Sequence, residues 1–474
     1  MAFNSFPFLL VFLPLVLAGF ALAVRFGRRA AILWLLLASV VFYGWSEPWL
    51  VLWLAGSVVV NAGLGRVVRG TDARPAVQWL VLAAGITINA GTIAACRLLP
   101  LALPGVSFIA FTQIGFLLDQ RGAPRAGWLN HALLVGFFPH LIAGPILRGA
   151  EVFDQFDVTL NHPLRGSNLA IGSGFFLIGL LKKGLLADPL GPMVAAGFER
   201  PEALTLGSGW TVALAWSFAL YFDFSGYSDM AIGLARLFGV RFPSNFASPY
   251  KAQSVIEYWQ RWHMTLTRFL MSAIYNPLAL AVMRSRRARG WPTDRAAQRT
   301  PAGFLAMVLW PIGVTMGVAG LWHGGTAPYL VFGLLHAGFL GVNHAWRLRG
   351  PGAEWGGWPA ALGRILLTYL CVLIGSVIFR APDLSIAGSI LAAMAGLHGL
   401  SALTPEPRAG LEALWLLGLA LIIWGAPNSQ QIMEDHAGWP RWRASIPWAA
   451  AAGCAATLGL LSLGGTREFV YFQF

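Results

Sequence analysis

A succession of apolar runs constrains this chain more than any other feature. The runs lie at about 6–24, 30–44, 48–65, 76–96, 103–118, 127–147, 168–187, 205–224, 301–321, 327–346, 358–379, 410–426 and 445–464. Crossing the hydrocarbon core of a bilayer takes roughly 20 apolar residues in a helix, whose backbone satisfies its own hydrogen bonds. The expected fold class is therefore an all-α polytopic membrane protein. Its 474 residues leave room for roughly 11–13 transmembrane helices with short loops. Composition supports this, with 57% hydrophobic and only 11% charged residues. Soluble domains run nearer 45–50% apolar and about 25% charged, so soluble and disordered classes are both excluded.

The formal net charge of +13 is not a nucleic-acid footprint. The basic residues sit in short loops between apolar runs, which is the pattern that sets membrane orientation. Arg25, Arg28 and Arg29 follow the first run, and Arg66, Arg69 and Arg74 follow the third. The loop holding Ser46, Glu47 and Pro48 has no basic residue. The N-terminus is thus expected outside, and the Arg-rich loops in the cytoplasm. The densest basic stretch runs from Arg284 through Arg286, Arg287, Arg289 and Arg295 to Arg299. It either sets topology or helps attract an anionic donor. The first run is longer than a signal-peptide core and lacks a basic flank before it, so it reads as a retained span. Cys96, Cys371 and Cys454 have no paired spacing, and neither disulfides nor a metal site is expected.

The stretch from 225 to 280 differs from the rest. It mixes polar and aromatic residues, and is read as re-entrant or interfacial helices packed inside protein. Polar and ionisable residues at membrane depth are costly and mark functional sites. Three clusters qualify. The first runs from Gly320 to Ala327, where His323 ends an apolar run behind Trp322 and ahead of Gly324 and Gly325. Glycines there let a backbone or ligand approach closely. A neutral imidazole can take a proton from an acceptor hydroxyl. His336 follows thirteen residues later, as a second such group or as a structural histidine.

The second cluster runs from Glu257 to Arg268. On one helix, Tyr258, Arg261, Trp262 and Thr265 would share a face, with Trp259 and His263 on the adjoining stripe. They line a cavity, or else form an interfacial aromatic belt with a snorkelling Arg. In the third cluster, Asp223 and Asp229 flank a turn at Ser225 and Gly226. Such paired carboxylates could be catalytic or metal ligands, but more often they satisfy helix ends or pair with a buried Arg. The turn-rich connector from Pro243 to Tyr250 leads into the second cluster. Dinucleotide-binding, P-loop, zinc-protease and nucleophile-elbow signatures are absent.

These segments, in this order, resemble the membrane-bound O-acyltransferase (MBOAT) family, and most of all its alginate and exopolysaccharide O-acetyltransferase branch. The residues carrying the resemblance are Phe42 to Trp45, Phe137 to Ile146, Tyr221 to Asp229, Pro243 to Tyr250, Arg261 to His263, Leu321 to Gly324, Ala426 to Met433 and the terminal Phe469 to Phe474. The resemblance implies a ring of membrane helices around a thin centre crossed by a tunnel. The whole of 1–474 would then be one integral-membrane domain. Spans to 200 would precede a core at 201–350 holding both histidine motifs, with further spans at 351–474.

The resemblance also implies roles. His323 takes the family's invariant histidine position and would act as base or acyl carrier, with His263 supporting it. His336 matches a further branch histidine. Arg261, Trp262, Tyr258, Asn245, Tyr250 and Trp322 would line the tunnel, and Asp223, Ser225 and Asp229 would shape it. Acetyl-CoA would be the cytoplasmic donor substrate, with no bound cofactor and no metal. Implied partners are membrane lipid, an extracytoplasmic transferase of the SGNH-hydrolase type and polysaccharide secretion machinery, in a bacterial inner membrane. The chain departs from the branch after His263, where Met271 to Leu278 replace a common Arg-Asp-Tyr element. D-alanyl or peptidoglycan O-acyl transfer by the same fold is the alternative enzyme reading. A transporter would be expected to show an inverted repeat, and none is seen.

Overall fold

The computed structural model describes the chain except residues 71–73, 100–102, 121–126, 159, 161–163, 351–356, 401–406, 435–441, 444, 464–468 and 470–474, and gives only the backbone at 407–409. Among the described residues every regular element is helical. Leaving aside short segments at Lys182–Ala187, Asp188–Leu190, Pro201–Ala203, Pro249–Lys251 and Arg295–Arg299, they are in chain order α1 (Pro7–Phe26), α2 (Arg28–Tyr43), α3 (Trp49–Arg69), α4 (Pro75–Leu98), α5 (Val106–Asp119), α6 (Trp128–Gly136) and α7 (Gly149–Val158). There follow α8 (Gly166–Leu181), α9 (Gly191–Glu199), α10 (Leu206–Leu237), α11 (Val255–Arg261), α12 (Met264–Ala288), α13 (Pro301–His323) and α14 (Ala327–Leu348). The last are α15 (Trp358–Arg380), α16 (Leu384–Met394), α17 (Pro407–Gly425), α18 (Ser429–Met433) and α19 (Ile446–Ser462).

Among the described residues, seven helical stretches are long and apolar enough to cross a membrane: α1, α3, α4, the run Gly166–Glu199, α12, α13 and α15. Four shorter apolar helices accompany them, at Val106–Asp119, Leu384–Met394, Gly410–Gly425 and Ile446–Ser462. The chain is thus an all-α, multi-pass membrane protein. The 22-residue α14 is not among the seven; it carries His336, Asn343 and His344 along its length.

The chain forms two compact units. One comprises Met1–Leu185, Phe224–Asn245 and Ser429–Gln473. Its core is a phenylalanine cluster that includes Phe3, Phe8, Phe42 and Phe138. Ring centroids lie 5.5 Å apart for Phe3–Phe42 and for Phe42–Phe138. The irregular segment after α6 is buried against this cluster, where the Phe138 amide donates to the Ser39 hydroxyl at 3.0 Å. A buried loop persists only when its backbone groups find such partners.

In the same unit α8 packs against the second half of α10 through two glycine pairs. A Cβ on Gly172 or Gly233 would collide with the other residue's carbonyl oxygen, and the same holds for Gly179 and Gly226. Both pairs repeat at a seven-residue spacing, so the two backbones touch along two turns. This corrects the expected turn at Ser225 and Gly226. The helix runs unbroken from Leu206 to Leu237, and Gly226 serves close helix approach rather than chain reversal.

The other unit comprises Leu186–Asp223 and Phe246–Asn428. Here a second expectation is corrected: residues 258–265 do not form one helix. α11 ends at Arg261, Trp262 is extended, and His263 has a left-handed backbone with φ 42° before α12 begins. The break has a cause in the preceding connector. The Ala247 amide donates to the Arg261 carbonyl at 3.0 Å, removing that acceptor from the helix ladder. The Arg261 guanidinium in turn donates to the Ala247 carbonyl at 3.4 Å. Of the 225–280 region, the first part therefore belongs to α10 and the last to α12. The broken backbone lies between them.

Candidate active site

The second unit gathers His323, His336 and the aromatic residues of α11. α13 and α14 form a hairpin whose backbones meet. A Cβ on Gly320 would strike the Tyr329 carbonyl, and one on Gly333 would strike the Met316 carbonyl. Only glycine allows this approach, and it carries the two histidine-bearing helices side by side. His323 ends α13, half-buried, beside the extended Gly324. Its ring sits 4.3 Å from Trp322 and 4.8 Å edge-on from Phe379 of α15. Phe332, one turn before His336, lies 6.5 Å from the His323 ring and 4.7 Å from that of His336.

His336 is only 1% exposed. The Trp259 indole N–H donates to its Nδ1 at 3.3 Å, and Tyr258 lies near-parallel to its ring at 6.4 Å. An Nδ1 that accepts carries no proton, so the neutral ring holds its proton on Nε2. That Nε2 faces the α-carbon of Gly375 on α15, where a Cβ would run into it.

From Tyr258 the aromatic chain continues to Trp262 at 5.8 Å and from Trp262 to Tyr250 at 6.3 Å, both near-parallel. Tyr250 is anchored by polar contacts. Ser217 on α10 donates its hydroxyl to the Tyr250 oxygen at 2.9 Å, and Tyr250 donates to the Ser217 carbonyl at 2.9 Å. Tyr369 of α15 donates to the Ser217 hydroxyl at 3.1 Å, and Trp424 of α17 donates to the Tyr250 carbonyl at 2.9 Å. Four segments thus hold a rigid polar and aromatic wall that reaches His336.

Arg261 does not stand alone. Its guanidinium pairs with Glu257 at 2.5 Å, one helical turn earlier, as well as with the Ala247 carbonyl. It ties the connector to α11. His263 is buried at the helix break, two residues further on. Asn245 is fully buried, and Asp223 and Ser225 are buried within α10. Asp229 lies in the first unit. It accepts from Lys182 Nζ at 2.6 Å and from the Ser429 hydroxyl at 2.5 Å, so its partner is a lysine and not the expected arginine.

Sequence reasoning missed Ser217, Phe332, Tyr369, Gly375, Phe379 and Trp424. Most of them sit inside apolar runs that read as lipid-facing spans. A lone Tyr or Gly in such a run was the available signal, and it gains meaning only through the partner it meets. Among the described residues no group of three His, Cys, Asp or Glu side chains comes together to hold a metal ion.

A multi-pass helical membrane protein that brings two histidines among aromatic rings has side chains able to move a proton there. The chain's relatives specify the class. A model of the membrane-bound O-acyltransferase family matches residues 128–291. The protein described as "Probable alginate O-acetylase AlgI" from Pseudomonas aeruginosa is 35% identical, over 89% of this chain and 80% of its own length. A peptidoglycan O-acetyltransferase from Helicobacter pylori is 31% identical over 84% of this chain and 80% of its own. A teichoic acid D-alanyltransferase from Streptococcus thermophilus is 26% identical over 51% and 57%. This chain belongs to the membrane-bound O-acyltransferase family, and it is an O-acyltransferase.

Proposed function

We propose that the protein transfers an acetyl group from cytoplasmic acetyl-CoA through the membrane to an extracytoplasmic acceptor, in the O-acetylation of an alginate- or cellulose-type exopolysaccharide. The observation that carries this reading is the placement of His323. It sits half-buried at the end of α13, in a ring of Trp322, Phe379 and Phe332, on a chain similar to alginate O-acetylases over most of its length. His323 takes the proton of the acceptor hydroxyl as that oxygen attacks the thioester carbonyl. The carbon–sulfur bond breaks, and coenzyme A leaves with the proton returned to sulfur. His263 supports the reacting geometry, and His336 is held in one tautomer beside it. The donor and acceptor enter a tunnel from opposite sides. The immediate acceptor is a serine on an SGNH-type partner, which passes the acetyl group on to the polymer. The protein works in a bacterial inner membrane with its N-terminus outside. Peptidoglycan is the second acceptor reading, supported by the Helicobacter pylori relative.

The test uses purified protein and acetyl-CoA labelled on its acetyl group, alone and with a co-purified partner. Wild type is expected to consume thioester, and His323→Ala to lose at least about 100-fold of that rate, the scale of a general base. Equal turnover by the two proteins would remove His323 from the reaction. Product analysis on alginate, cellulose and peptidoglycan separates the acceptors.

A further inference from the structure

The first unit contains a cavity of about 430 Å³ that the acyl-transfer reading does not use. Its polar lining is Arg165, Arg236, Arg241, Asn168 and Gln155, with Phe20, Val158, Leu164, Leu237 and Phe238 supplying an apolar side. Among the described residues no lining residue is acidic.

Arg236 is the unusual member. It sits in the last turn of α10 and is only 6% exposed. Among the described residues its nearest carboxylate is Glu434, at 4.0 Å and 43% exposed, beyond hydrogen-bond range. Its Nε is buried with no hydrogen-bond partner. A buried cation is normally paired, because leaving it unpaired costs several kcal/mol. Arg165 and Arg241, both exposed, add two more positive charges around it. The 16-residue α8 begins at this wall. Arg165 is its N-cap and makes no side-chain cap, so the amides of its first turn have no side-chain acceptor there. Such an N-terminus favours an anion.

The site is also preformed. Gly239 turns the chain with φ 83°. Gln155 clamps the next residues by accepting from the Arg241 amide at 2.8 Å and donating to the Arg241 carbonyl at 3.0 Å. Three guanidinium groups, one of them buried and under-compensated, and a helix N-terminus that its N-cap side chain does not close fit the geometry of a phosphate ester.

We propose that the cavity walled by Arg236, Arg165, Arg241 and the start of α8 binds a phosphate ester, with its anionic oxygens on Arg236 and its apolar part against Leu237 and Phe238. The same chemistry is offered by an anionic phospholipid headgroup and by a soluble nucleotide phosphate.

The test is the thermal unfolding of the delipidated full-length protein in detergent. Phosphatidylglycerol, phosphatidylcholine and adenosine 3′,5′-bisphosphate are added separately to wild type, to Arg236→Gln and to the double variant Arg165→Gln, Arg241→Gln. Wild type is expected to melt several degrees higher with phosphatidylglycerol or with the bisphosphate, because a ligand of the native state stabilises it by mass action. Phosphatidylglycerol alone identifies a lipid site; the bisphosphate identifies a soluble phosphate ester. Both variants are expected to lose the shift. Without ligand, Arg236→Gln is expected to melt no lower than wild type, because it removes an under-compensated buried charge. The double variant changes exposed side chains only, so it keeps the test informative if Arg236→Gln fails to fold. No shift in wild type, an equal shift with phosphatidylcholine, or a shift retained in the double variant overturns the proposal.

Discussion

The indole of Trp259 donates its N–H to Nδ1 of His336 at 3.3 Å, joining α11 to α14 across 77 residues of sequence. The bond selects one of the two neutral tautomers and leaves the proton on Nε2, toward Gly375. Trp259→Phe keeps the ring and removes the donor. A lost neutral hydrogen bond is worth about 1 kcal/mol, so acyl transfer is expected to fall roughly 5- to 10-fold with little change in melting temperature. Histidine ¹⁵N spectra of labelled protein are expected to show His336 as a mixture of tautomers in the variant and one tautomer in wild type. Unchanged spectra would remove the orienting role.

Gly375 gives a complementary test on the opposite side of the ring. A Cβ there would collide with Nε2 of His336. The ring cannot swing aside easily, because Phe332 and Phe339 of its own helix flank it at 4.7 and 5.8 Å. Overpacking of this kind costs roughly 1–3 kcal/mol. Gly375→Ala is expected to reduce activity more than Trp259→Phe and to lower the melting temperature. Wild-type activity and stability in Gly375→Ala would mean that α15 has room to shift.

The sequence made the membrane class and the two histidine motifs legible because both are local signals. Uninterrupted apolar runs state their helices directly, and a histidine flanked by Trp322 and Gly324 stands out from an apolar background. The failures were also physical. Ser225 and Gly226 have turn chemistry, yet they lie within α10, because Gly226 meets the backbone of Gly179 some 47 residues earlier. Residues 258–265 have helical spacing, yet the helix breaks, because Ala247 captures the Arg261 carbonyl. In each case the deciding partner is distant in sequence and itself inconspicuous. Tyr369 and Ser217 escaped notice for the same reason: each is one hydroxyl in an apolar run, and only together with Tyr250 do they make a network.

That network predicts a further outcome. The Ser217 hydroxyl is shared by Tyr250 and Tyr369, and all three groups are buried. Ser217→Ala removes one donor and one acceptor and leaves the Tyr369 hydroxyl without that partner. An unsatisfied buried polar group costs about 1–3 kcal/mol. The variant is expected to lose stability by that amount. Tyr369→Phe in the same background is expected to restore part of it, because the stranded hydroxyl is then gone. Additive losses in the double variant would show that the hydroxyls act separately.

The last prediction concerns Lys182 and Asp229, which form an ion pair at 2.6 Å with side chains 14% and 4% exposed. Ser429 accepts from Lys182 at 2.8 Å and donates to Asp229 at 2.5 Å, so the residue that follows α8 meets α10 and α18 at one closed polar knot. Removing one charge strands the other in a buried site, which typically costs 3–5 kcal/mol. Lys182→Met and Asp229→Leu are each expected to sharply reduce the yield of folded protein, or its half-life on heating in detergent. Removing both charges leaves no stranded ion, and buried pairs replaced by apolar residues are often neutral in stability. The double variant is therefore expected to recover most of the stability lost in either single one. Its acyl-transfer activity is expected to return with its folding, because this pair holds the first unit while the histidine site belongs to the second. A double variant that folds but stays inactive would give the pair a part in the reaction.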